Sequence, residues 1–430
     1  MKNGILLIVQ SCLILLSIYP IVGSVNWFIG GLSYKYLRKS KKENLTSIID
    51  IAEPFITIMV PAHNEEIMIA DTIKYLSTKL NYKNYEILVL NDASTDSTLE
   101  ILKSAQKKFD NLRIINIEQN KGKAHAFNIG IAFARGEYIL SNDADTLPET
   151  NALKKYMHYF LNSTDLNTAA VTANMDVQNR TTLLGKSQTV EFSSIVGIIK
   201  RTQTAVNNSM YAYSGANTMY RKKFLVDVGG FRQNRITEDI SIAWDHQKFG
   251  VIPKFAPEIL FHMNVPEKLG ELYKQRKRWA QGGIEVWLTY FNEYRCHPIK
   301  HKFQMSMFLD STLAIVWSFF YIFSSIFFLL SIVYFSLLGD FNTVWTAFIM
   351  SFIFLFFEMC GGLLQLITAL LLDNQGVKMK YLLFAPLYML LFWIVNPLTI
   401  VTRFIPAVKT LTGKKSGVWK SPERKKINLR

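Results

Sequence analysis

The 430-residue sequence is poor in cysteine and carries fewer acidic than basic side chains. Its three cysteines, Cys12, Cys296 and Cys360, are scattered, which argues against a disulfide framework and a cysteine metal cluster. We find no internal repeat and no zinc-finger, helix-turn-helix or aromatic–basic RNA-binding pattern, so no nucleic-acid partner is expected. The net charge of +15 instead suits the cytosolic surface of a membrane protein, or an anionic ligand.

Long apolar runs are what the sequence does have, and half of its residues are hydrophobic. Residues 1–36 form an N-terminal run that exceeds a signal-peptide core, so we expect one tilted span or a hairpin at Pro20. Basic residues from Lys35 to Lys42 follow, and they place the next segment in the cytosol. Three later runs, 309–338, 344–372 and 381–405, form a C-terminal membrane region spanning 309–405.

The number of spans and the charge of the tail give conflicting predictions for the side of the membrane on which the tail lies. Four spans with a cytosolic central segment put the tail, 406–430, outside, but its many Lys and Arg residues favour the cytosol. Pro386, Asn396 and Pro397 weaken a straight last helix, so a re-entrant or interfacial arrangement of 381–405 is an alternative. We expect four spans.

Between the membrane segments, residues 54–267 alternate short strand-like runs with helix-length stretches. The strand-like runs are 55–60, 85–90, 112–117 and 137–140, and helical stretches include 65–80 and 95–109. This alternation predicts a parallel sheet with helices on both faces. Segment 268–308 mixes aromatic and basic residues, which is typical of amphipathic helices in the membrane interface.

Polar residues follow the first two predicted strands. Ala62, Asn64 and Glu65 lie at the end of the first strand, and Asp92 ends the second. Parallel strands open a ligand crevice at this edge, so we expect a nucleotide site there, with Asp92 accepting hydrogen bonds from a base or ribose. The alternatives are an ordinary helix N-terminus after the first strand and a helix cap after the second.

A basic turn and an acidic turn come next. Lys121 and Lys123 precede a helix that begins near residue 124, an arrangement that suits phosphate, although a solvated basic turn is a serious alternative. Asp143 and Asp145 follow the fourth predicted strand. Two carboxylates this close repel each other, and a divalent cation is the usual reason for such a pair, while a surface turn is the alternative.

Two further motifs lie beyond residue 230. Glu238 and Asp239 suit a base that acts on an acceptor hydroxyl, or alternatively an acidic pair at a helix N-terminus. Gln275, Arg278 and Trp279 share one face of a helix, where an indole stacks on a sugar and a guanidinium meets phosphate. An interfacial Trp and Arg anchor is the alternative.

In this order the motifs resemble those of the inverting, processive glycosyltransferases of family 2, which include cellulose, chitin and hyaluronan synthases. The shared pattern is Asp92, Asp143-x-Asp145, Thr237-Glu238-Asp239 and Gln275-x-x-Arg278-Trp279. The resemblance implies a Rossmann-like α/β domain of the GT-A type combined with α-helical transmembrane segments. It also implies that Asp92 and Asp143 hold a uridine nucleotide.

The same resemblance implies roles for the remaining motif residues. Asp145 would bind a divalent cation, Mg or Mn, and Asp239, with Glu238 beside it, would act as general base. Gln275, Arg278 and Trp279 would flank the acceptor terminus and the donor diphosphate.

Several stretches are similar to one subfamily, the synthases of poly-N-acetylglucosamine in bacterial biofilms. These stretches are 185–191, 197–203, 278–283 and 419–424. The chain departs from the family at Ala93, where glycine commonly follows the Asp. We expect the added methyl group to tighten the turn slightly and to leave Asp92 intact.

The subfamily resemblance implies a multi-pass protein of the bacterial plasma membrane with a cytosolic catalytic domain. It would polymerise N-acetylglucosamine from UDP-N-acetylglucosamine into a β-linked chain, with a β-1,6 linkage expected, and export the polysaccharide. Its partners would be these substrates, membrane lipid and a small membrane subunit. The alternatives are a related transferase that makes hyaluronan, a β-glucan or a glycolipid, and a non-catalytic membrane scaffold.

Overall fold

The computed structural model describes residues 2–40, 52–161 and 167–413. The basic residues Lys41 and Lys42 and the part of the predicted tail after residue 413 lie outside the described residues. The strands are β1 (Ile56–Ala62), β2 (Tyr85–Asp92), β3 (Leu112–Ile117), β4 (Tyr138–Ser141), β5 (Leu147–Pro148), β6 (Thr168–Val177), β7 (Thr218–Arg221) and β8 (Ile252–Met263). Together they form one eight-stranded sheet in the order β3-β2-β1-β4-β7-β6-β8-β5.

Helices surround this sheet and extend from it. Those of the first half are α1 (Lys2–Ser40), α2 (Ile69–Thr78), α3 (Thr98–Gln106), α4 (Lys123–Phe133), α5 (Ala152–Leu161), α6 (Leu183–Phe192) and α7 (Ile199–Val206). Those of the second half are α8 (Lys222–Asp227), α9 (Glu238–Lys248), α10 (Leu269–Cys296), α11 (Met305–Leu337), α12 (Phe341–Leu372) and α13 (Ala385–Leu411). A π-helical turn, Ser193–Ile198, joins α6 to α7, and a 3₁₀ segment, Asp373–Phe384, precedes α13.

The first four strands lie where the sequence predicts them, because most of their residues are apolar. Every residue of β1 is buried, and β1 pairs in parallel with both β2 and β4. A strand with both faces covered by helices reads as a continuous apolar run, which is the pattern used for the prediction. Their carboxyl ends therefore meet at one edge of the sheet.

The expectation of a parallel sheet is wrong for the half of the sheet that contains β5 and β7. β7 runs antiparallel to both β4 and β6, and β5 runs antiparallel to β8. The chain enters β7 from the loop that follows α7, without the crossover that a parallel pair requires. β6 is buried on both faces, so its apolar sequence does not reveal the direction of its neighbours.

Among the residues that the structure describes, four helices are long and apolar enough to cross a membrane, and together they indicate membrane association. The candidate spans are Gly4–Leu37, Met305–Leu337, Phe341–Leu372 and Gly376–Leu411. α1 continues through Pro20 without forming a hairpin. α13, which begins at Ala385, is likewise continuous through Pro397. Segment 268–308 contains one long helix, α10, which packs along α13.

The sheet domain and the membrane helices are joined by buried polar contacts around Asp373, at the end of α12. Its carboxylate accepts hydrogen bonds from Asn174 Nδ2, Ser193 Oγ and Lys378 Nζ, each at 2.7 Å. Arg201 Nη2 lies 3.8 Å from the same carboxylate. Burial opposes ionisation, but Lys378 and Arg201 hold the pKa of Asp373 below its ordinary value. We call Asp373, Lys378 and Arg201 the Asp373 cluster.

Candidate active site

One large cavity runs from the edge of the sheet into the membrane helices. Its volume is about 1780 Å³, well above the few hundred cubic ångströms typical of a small-molecule pocket. Nine predicted site residues line it: Lys121, Lys123, Asp143, Asp145, Glu238, Asp239, Gln275, Arg278 and Trp279. Residues of α1, α11, α12 and α13 line its other end. The structure thus brings together motifs that lie up to 158 residues apart in the sequence, from Lys121 to Trp279.

Lys123 lies at the centre of the acidic residues in this cavity. Its ammonium is 2.7 Å from Asp143 Oδ1 and 3.1 Å from Glu238 Oε1, and it donates to the carbonyl oxygen of Gly215 at 3.1 Å. Burial lowers the pKa of Lys123, but Asp143 and Glu238 outweigh it and raise the pKa above its ordinary value. We call Lys123, Asp143, Glu238 and Asp239 the Lys123 cluster. Lys123 is therefore engaged with carboxylates and does not project freely as a phosphate ligand.

Asp239 is the member of this cluster best suited to accept a proton. It lies in the first turn of α9, where its Oδ1 accepts from the backbone N–H of Ile240 at 2.9 Å. Its Oδ2 accepts from the N–H of Gly215 at 3.1 Å. Burial, and next the charge of Glu238, raise its pKa to about 6, against the opposing effect of nearby lysines. A carboxylate with this pKa is ionised near neutral pH and basic enough for proton transfer.

The acidic turn after β4 holds its two carboxylates differently. Asp143 is paired with Lys123, so a protein cation already offsets its charge. Asp145 is buried at the cavity wall, where Thr146 Oγ1 donates to its Oδ1 at 3.4 Å. Among the described residues no three His, Cys, Asp or Glu side chains converge as a metal cage. The turn fits a cation that takes one or two carboxylates from the protein and its other ligands from substrate phosphates.

The predicted face of α10 opens to the same cavity, and a neighbouring residue adds to it. Gln275, Arg278 and Trp279 all line the cavity. The guanidinium of Arg276 lies 4.1 Å from the centroid of the Trp279 ring and is fixed by an ion pair of 2.8 Å with Glu191. One face of the indole is therefore covered by a cation. Arg276 is not among the residues predicted from the sequence, because that prediction rests on the helical spacing of Gln275, Arg278 and Trp279.

Close packing sets the distance between α10 and the residue that precedes Glu238. A Cβ atom added at Gly282 of α10 would lie only 1.9 Å from Thr237 Oγ1. A neighbouring glycine, Gly283, faces the hydroxyl of Tyr211 in the same way, at 2.3 Å. Real Cβ atoms do not approach other atoms this closely, so glycine permits the contact. The helix that carries Trp279 thereby rests against the segment that carries Asp239.

The residues predicted at the first two strand ends lie outside the lining of this cavity. Asn64 holds the neighbouring loop, since its Oδ1 accepts from the N–H of Thr95 at 2.8 Å. Ala62 pairs with Asn91 in the sheet, and Glu65 is buried. Asp92 is fully buried, and neither carboxylate oxygen makes a hydrogen bond of good geometry with a described residue. Burial raises its pKa, although His63 and the backbone N–H groups of residues 121 and 122 oppose the shift.

Ala93 explains why glycine is common at this position. Its φ angle is 51°, in the left-handed region that glycine adopts without strain. For other residues this conformation costs roughly 1–2 kcal/mol. The alanine that replaces the family's glycine therefore adds a conformational cost to the backbone at position 93, beyond the slight tightening of the turn that we expected. Asp92 keeps its place at the end of β2.

Comparison with known proteins identifies the family. The sequence profile of Glycosyl transferase family 2 matches residues 57–229. The poly-β-1,6-N-acetyl-D-glucosamine synthase of Staphylococcus epidermidis is 32% identical over 418 residues, covering 95% of this chain and 97% of the relative. The chain belongs to glycosyl transferase family 2. The synthase of Staphylococcus aureus strain COL is also 32% identical to this family 2 chain, over 434 residues, with 94% and 97% covered.

A solved structure supports the fold of this family 2 glycosyltransferase. It is a mannosyltransferase from Pyrobaculum calidifontis in complex with GDP-Man and Mn²⁺, which aligns with a TM-score of 0.59. The alignment covers 89% of this chain and 99% of the other at 17% identity, so it bears on the fold alone. The predictions of a GT-A glycosyltransferase fold with apolar spanning helices, and of an enzyme of this family, are confirmed.

Proposed function

We propose that this family 2 enzyme is a processive, inverting transferase that polymerises N-acetylglucosamine from UDP-N-acetylglucosamine and exports the product. The observation that carries this proposal is the cavity that begins at the Lys123 cluster and continues between all four membrane helices. A transferase that releases a soluble product does not need such a path. The two staphylococcal relatives, each similar over nearly the whole chain, are named as synthases of the β-1,6-linked polymer.

The Lys123 cluster supplies the acid–base chemistry for one addition. Asp239 takes the proton of an acceptor hydroxyl while the hydroxyl oxygen forms a bond to the anomeric carbon of the donor. The bond from that carbon to the UDP oxygen breaks on the opposite side, so the configuration inverts and UDP leaves with the bonding electrons. The β-1,6 linkage would require the acceptor's primary hydroxyl to lie next to Asp239.

A divalent cation belongs to this proposal, with Mg and Mn both open. Asp145 would hold it together with oxygens of the donor diphosphate, and the bound cation would offset the charge of the leaving UDP. The similarly folded mannosyltransferase was solved with Mn²⁺, which supports a divalent cation in general. Asp92, buried without a good hydrogen bond, is suited to accept hydrogen bonds from a uracil or ribose.

The membrane end of the cavity is suited to a saccharide chain because it is lined by aromatic rings. They are Tyr19, Trp27, Trp317, Tyr388, Phe392 and Trp393. Flat apolar rings offer stacking surfaces to sugars without fixing them tightly, which suits a chain that must advance. We place the enzyme in the bacterial plasma membrane with its sheet domain in the cytosol, where the donor is made. Membrane lipid surrounds the exposed apolar helix faces, and a small membrane subunit would complete the path.

Purified enzyme in lipid nanodiscs tests this function directly. Radiolabelled UDP-N-acetylglucosamine, UDP-glucose, UDP-glucuronic acid and UDP-galactose are supplied separately, and each of the last three also together with UDP-N-acetylglucosamine, with Mg²⁺ or Mn²⁺. The polymer is then digested with a β-1,6-N-acetylglucosaminidase. We expect polymer from UDP-N-acetylglucosamine alone, and its complete digestion. A polymer that also requires UDP-glucuronic acid, or that contains glucose, indicates a related synthase. A short lipid-extractable product indicates a glycolipid, and no incorporation with any donor contradicts the proposal.

A further inference from the structure

A buried ion pair lies beside the motif residues of α10. Arg276 Nη2 of α10 is 2.8 Å from Glu191 Oε2 of α6, and both residues line the cavity. Their side chains are only 13% and 8% exposed. Apolar residues of similar size often stabilise a fold as well as a buried ion pair does, because burial removes the hydration of both charges. Stability alone therefore does not explain this pair.

The guanidinium of Arg276 also contacts two motif residues of its own helix. Its Nη1 donates to Gln275 Oε1 at 2.9 Å, and its carbon Cζ lies 4.1 Å from the centroid of the Trp279 ring. This distance is well inside the roughly 6 Å at which a cation and an aromatic ring attract each other. Trp279 is partly exposed and lines the cavity. The cation covers one face of the indole and leaves the other face to a ligand.

Arg276 and Arg278 have different surroundings, although both belong to α10. Arg278 is exposed and lines the cavity, so its guanidinium can reach a phosphate oxygen. Both terminal nitrogens of Arg276 already donate within the protein, to Glu191 and to Gln275. Contact with a donor diphosphate would require Arg276 to give up one of these bonds. Arg276 is therefore better placed to hold the indole than to bind the donor.

The other member of the pair is held by contacts with the membrane helices. Glu191 is the second-last residue of α6, and the π-helical turn begins two residues later. In that turn Ser193 Oγ donates to Asp373 at 2.7 Å, and Ser194 Oγ accepts from Gln365 of α12 at 2.9 Å. The end of α6 is thereby tied to α12. The carboxylate of Glu191 gives Arg276 a fixed point outside its own helix.

We propose that Glu191 is a positioning residue that acts through Arg276 to set the plane of the Trp279 ring. With the ring held, the terminal sugar of the acceptor stacks on the face that Arg276 leaves open. Without the pair the ring turns about its side-chain torsions, and the growing chain is bound less tightly. The pair therefore favours transfer of the donor sugar to the chain over transfer to water. This inference rests on the proposed function, in which the enzyme holds an acceptor chain beside the donor.

The partition of the donor sugar between polymer and water tests the inference. Wild type, Arg276→Met, Glu191→Gln and the double variant are placed in nanodiscs with radiolabelled UDP-N-acetylglucosamine. Polymer length, free N-acetylglucosamine and the KM for the donor are measured in the same reactions. In Arg276→Met we expect the ratio of free to incorporated sugar to rise about fivefold, with the KM for the donor unchanged within about twofold. Polymers should be shorter.

The double variant tests whether the two residues act as one unit. Glu191→Gln alone should raise the ratio less than Arg276→Met does, because the guanidinium remains over the ring. If Glu191 acts through Arg276, the double variant matches Arg276→Met and the two effects do not multiply. Should Arg276→Met elute as an aggregate from a sizing column, the double variant replaces it under the same criterion, because it leaves neither charge of the pair buried alone.

Arg180 provides a matched control. It forms an ion pair with Asp176 and lies 5.3 Å from the centroid of the Tyr381 ring, but it lies outside the cavity lining. Arg180→Met therefore removes the same kind of contact at a distance from the proposed acceptor. We expect this variant to keep the wild-type ratio of free to incorporated sugar.

Other patterns overturn the inference. An unchanged ratio in Arg276→Met shows that the pair only joins α6 to α10, and a raised KM for the donor identifies Arg276 as a donor ligand. An equal rise in Arg180→Met shows a general effect of destabilisation, and multiplied effects in the double variant show that Glu191 acts independently. Trp279→Ala separates these failures from failure of the proposed function. If it raises the ratio while Arg276→Met does not, only the present inference fails; a wild type that makes no polymer contradicts both.

Discussion

The Lys123 cluster and the Asp373 cluster are both buried groups of opposite charges, but they differ in what surrounds them. Asp373 is fully enclosed, and its carboxylate is satisfied by Asn174, Ser193 and Lys378. The Lys123 cluster opens to the cavity, and its three carboxylates outnumber Lys123. A buried cluster whose charges are all paired and enclosed serves to hold the structure together. A cluster whose negative charges are only partly paired and that opens to a cavity has a carboxylate with a raised pKa and leaves space for a ligand. Substitutions in the two clusters should therefore have different consequences.

The largest effect on turnover is expected at Asp239. Asp239→Asn keeps the shape of the side chain but cannot accept a proton, so polymer synthesis should fall by at least about 100-fold. UDP binding, measured by calorimetry in nanodiscs, should stay near the wild-type value. If UDP binding is lost together with turnover, Asp239 belongs to the donor site.

Asp145→Ala should rank next. Loss of this carboxylate removes the proposed protein ligand of the cation, so metal-dependent synthesis should fall by at least about tenfold. Membrane insertion and the melting temperature should not change, because Asp145 has no role in the apolar core. Titration of Mg²⁺ and of Mn²⁺ against initial rate checks this, with Asp143→Ala as the matched variant. Near-normal polymer yield at low metal concentration would count against the assignment.

Trp279→Ala should have a smaller and selective effect. Stacking orients the acceptor and does not activate the donor, so elongation should slow by about tenfold while donor hydrolysis changes little. Polymer length on gels and free N-acetylglucosamine release are measured in the same reaction. Equal loss of both activities would instead identify Trp279 as an anchor in the membrane interface.

The smallest effect on turnover is expected from Asp373→Asn, although its effect on stability is large. The substitution removes the ion-pair partner of the buried Arg201 and one of the two carboxylates that contact Lys378, whose other partner is Asp176 at 2.8 Å. Breaking a buried ion pair typically costs about 3–5 kcal/mol. Thermal unfolding in detergent should shift to lower temperature, while turnover per folded molecule changes by less than about threefold. If turnover collapses in molecules that remain folded, the two clusters are not independent.

Much of this architecture could be predicted from the sequence, because buried strands and membrane spans leave continuous apolar runs. The acidic motifs could be predicted too, since strand ends and helix starts place Asp143 and Asp239 at positions open to a ligand. Two kinds of feature could not. The antiparallel insertion of β7 depends on tertiary pairing, and the burial of Lys200 in the cavity wall depends on a π-helical turn that contacts Asp373 and α12. Neither leaves a periodic pattern in the residues concerned.

The contact between Gly282 and Thr237 has a consequence for how sequences of this kind can vary. Trp279 lies one helical turn before Gly282, and Asp239 lies two residues after Thr237, so the contact of Gly282 with the Thr237 side chain helps to set the spacing between the aromatic ring and the base. A Cβ atom at position 282 would lie 1.9 Å from Thr237 Oγ1, so Thr237 or α10 would have to shift. A substitution at this position therefore disturbs the packing of α10 against the segment that carries Asp239. In a library of all single substitutions, position 282 should tolerate almost no change, although it touches no substrate.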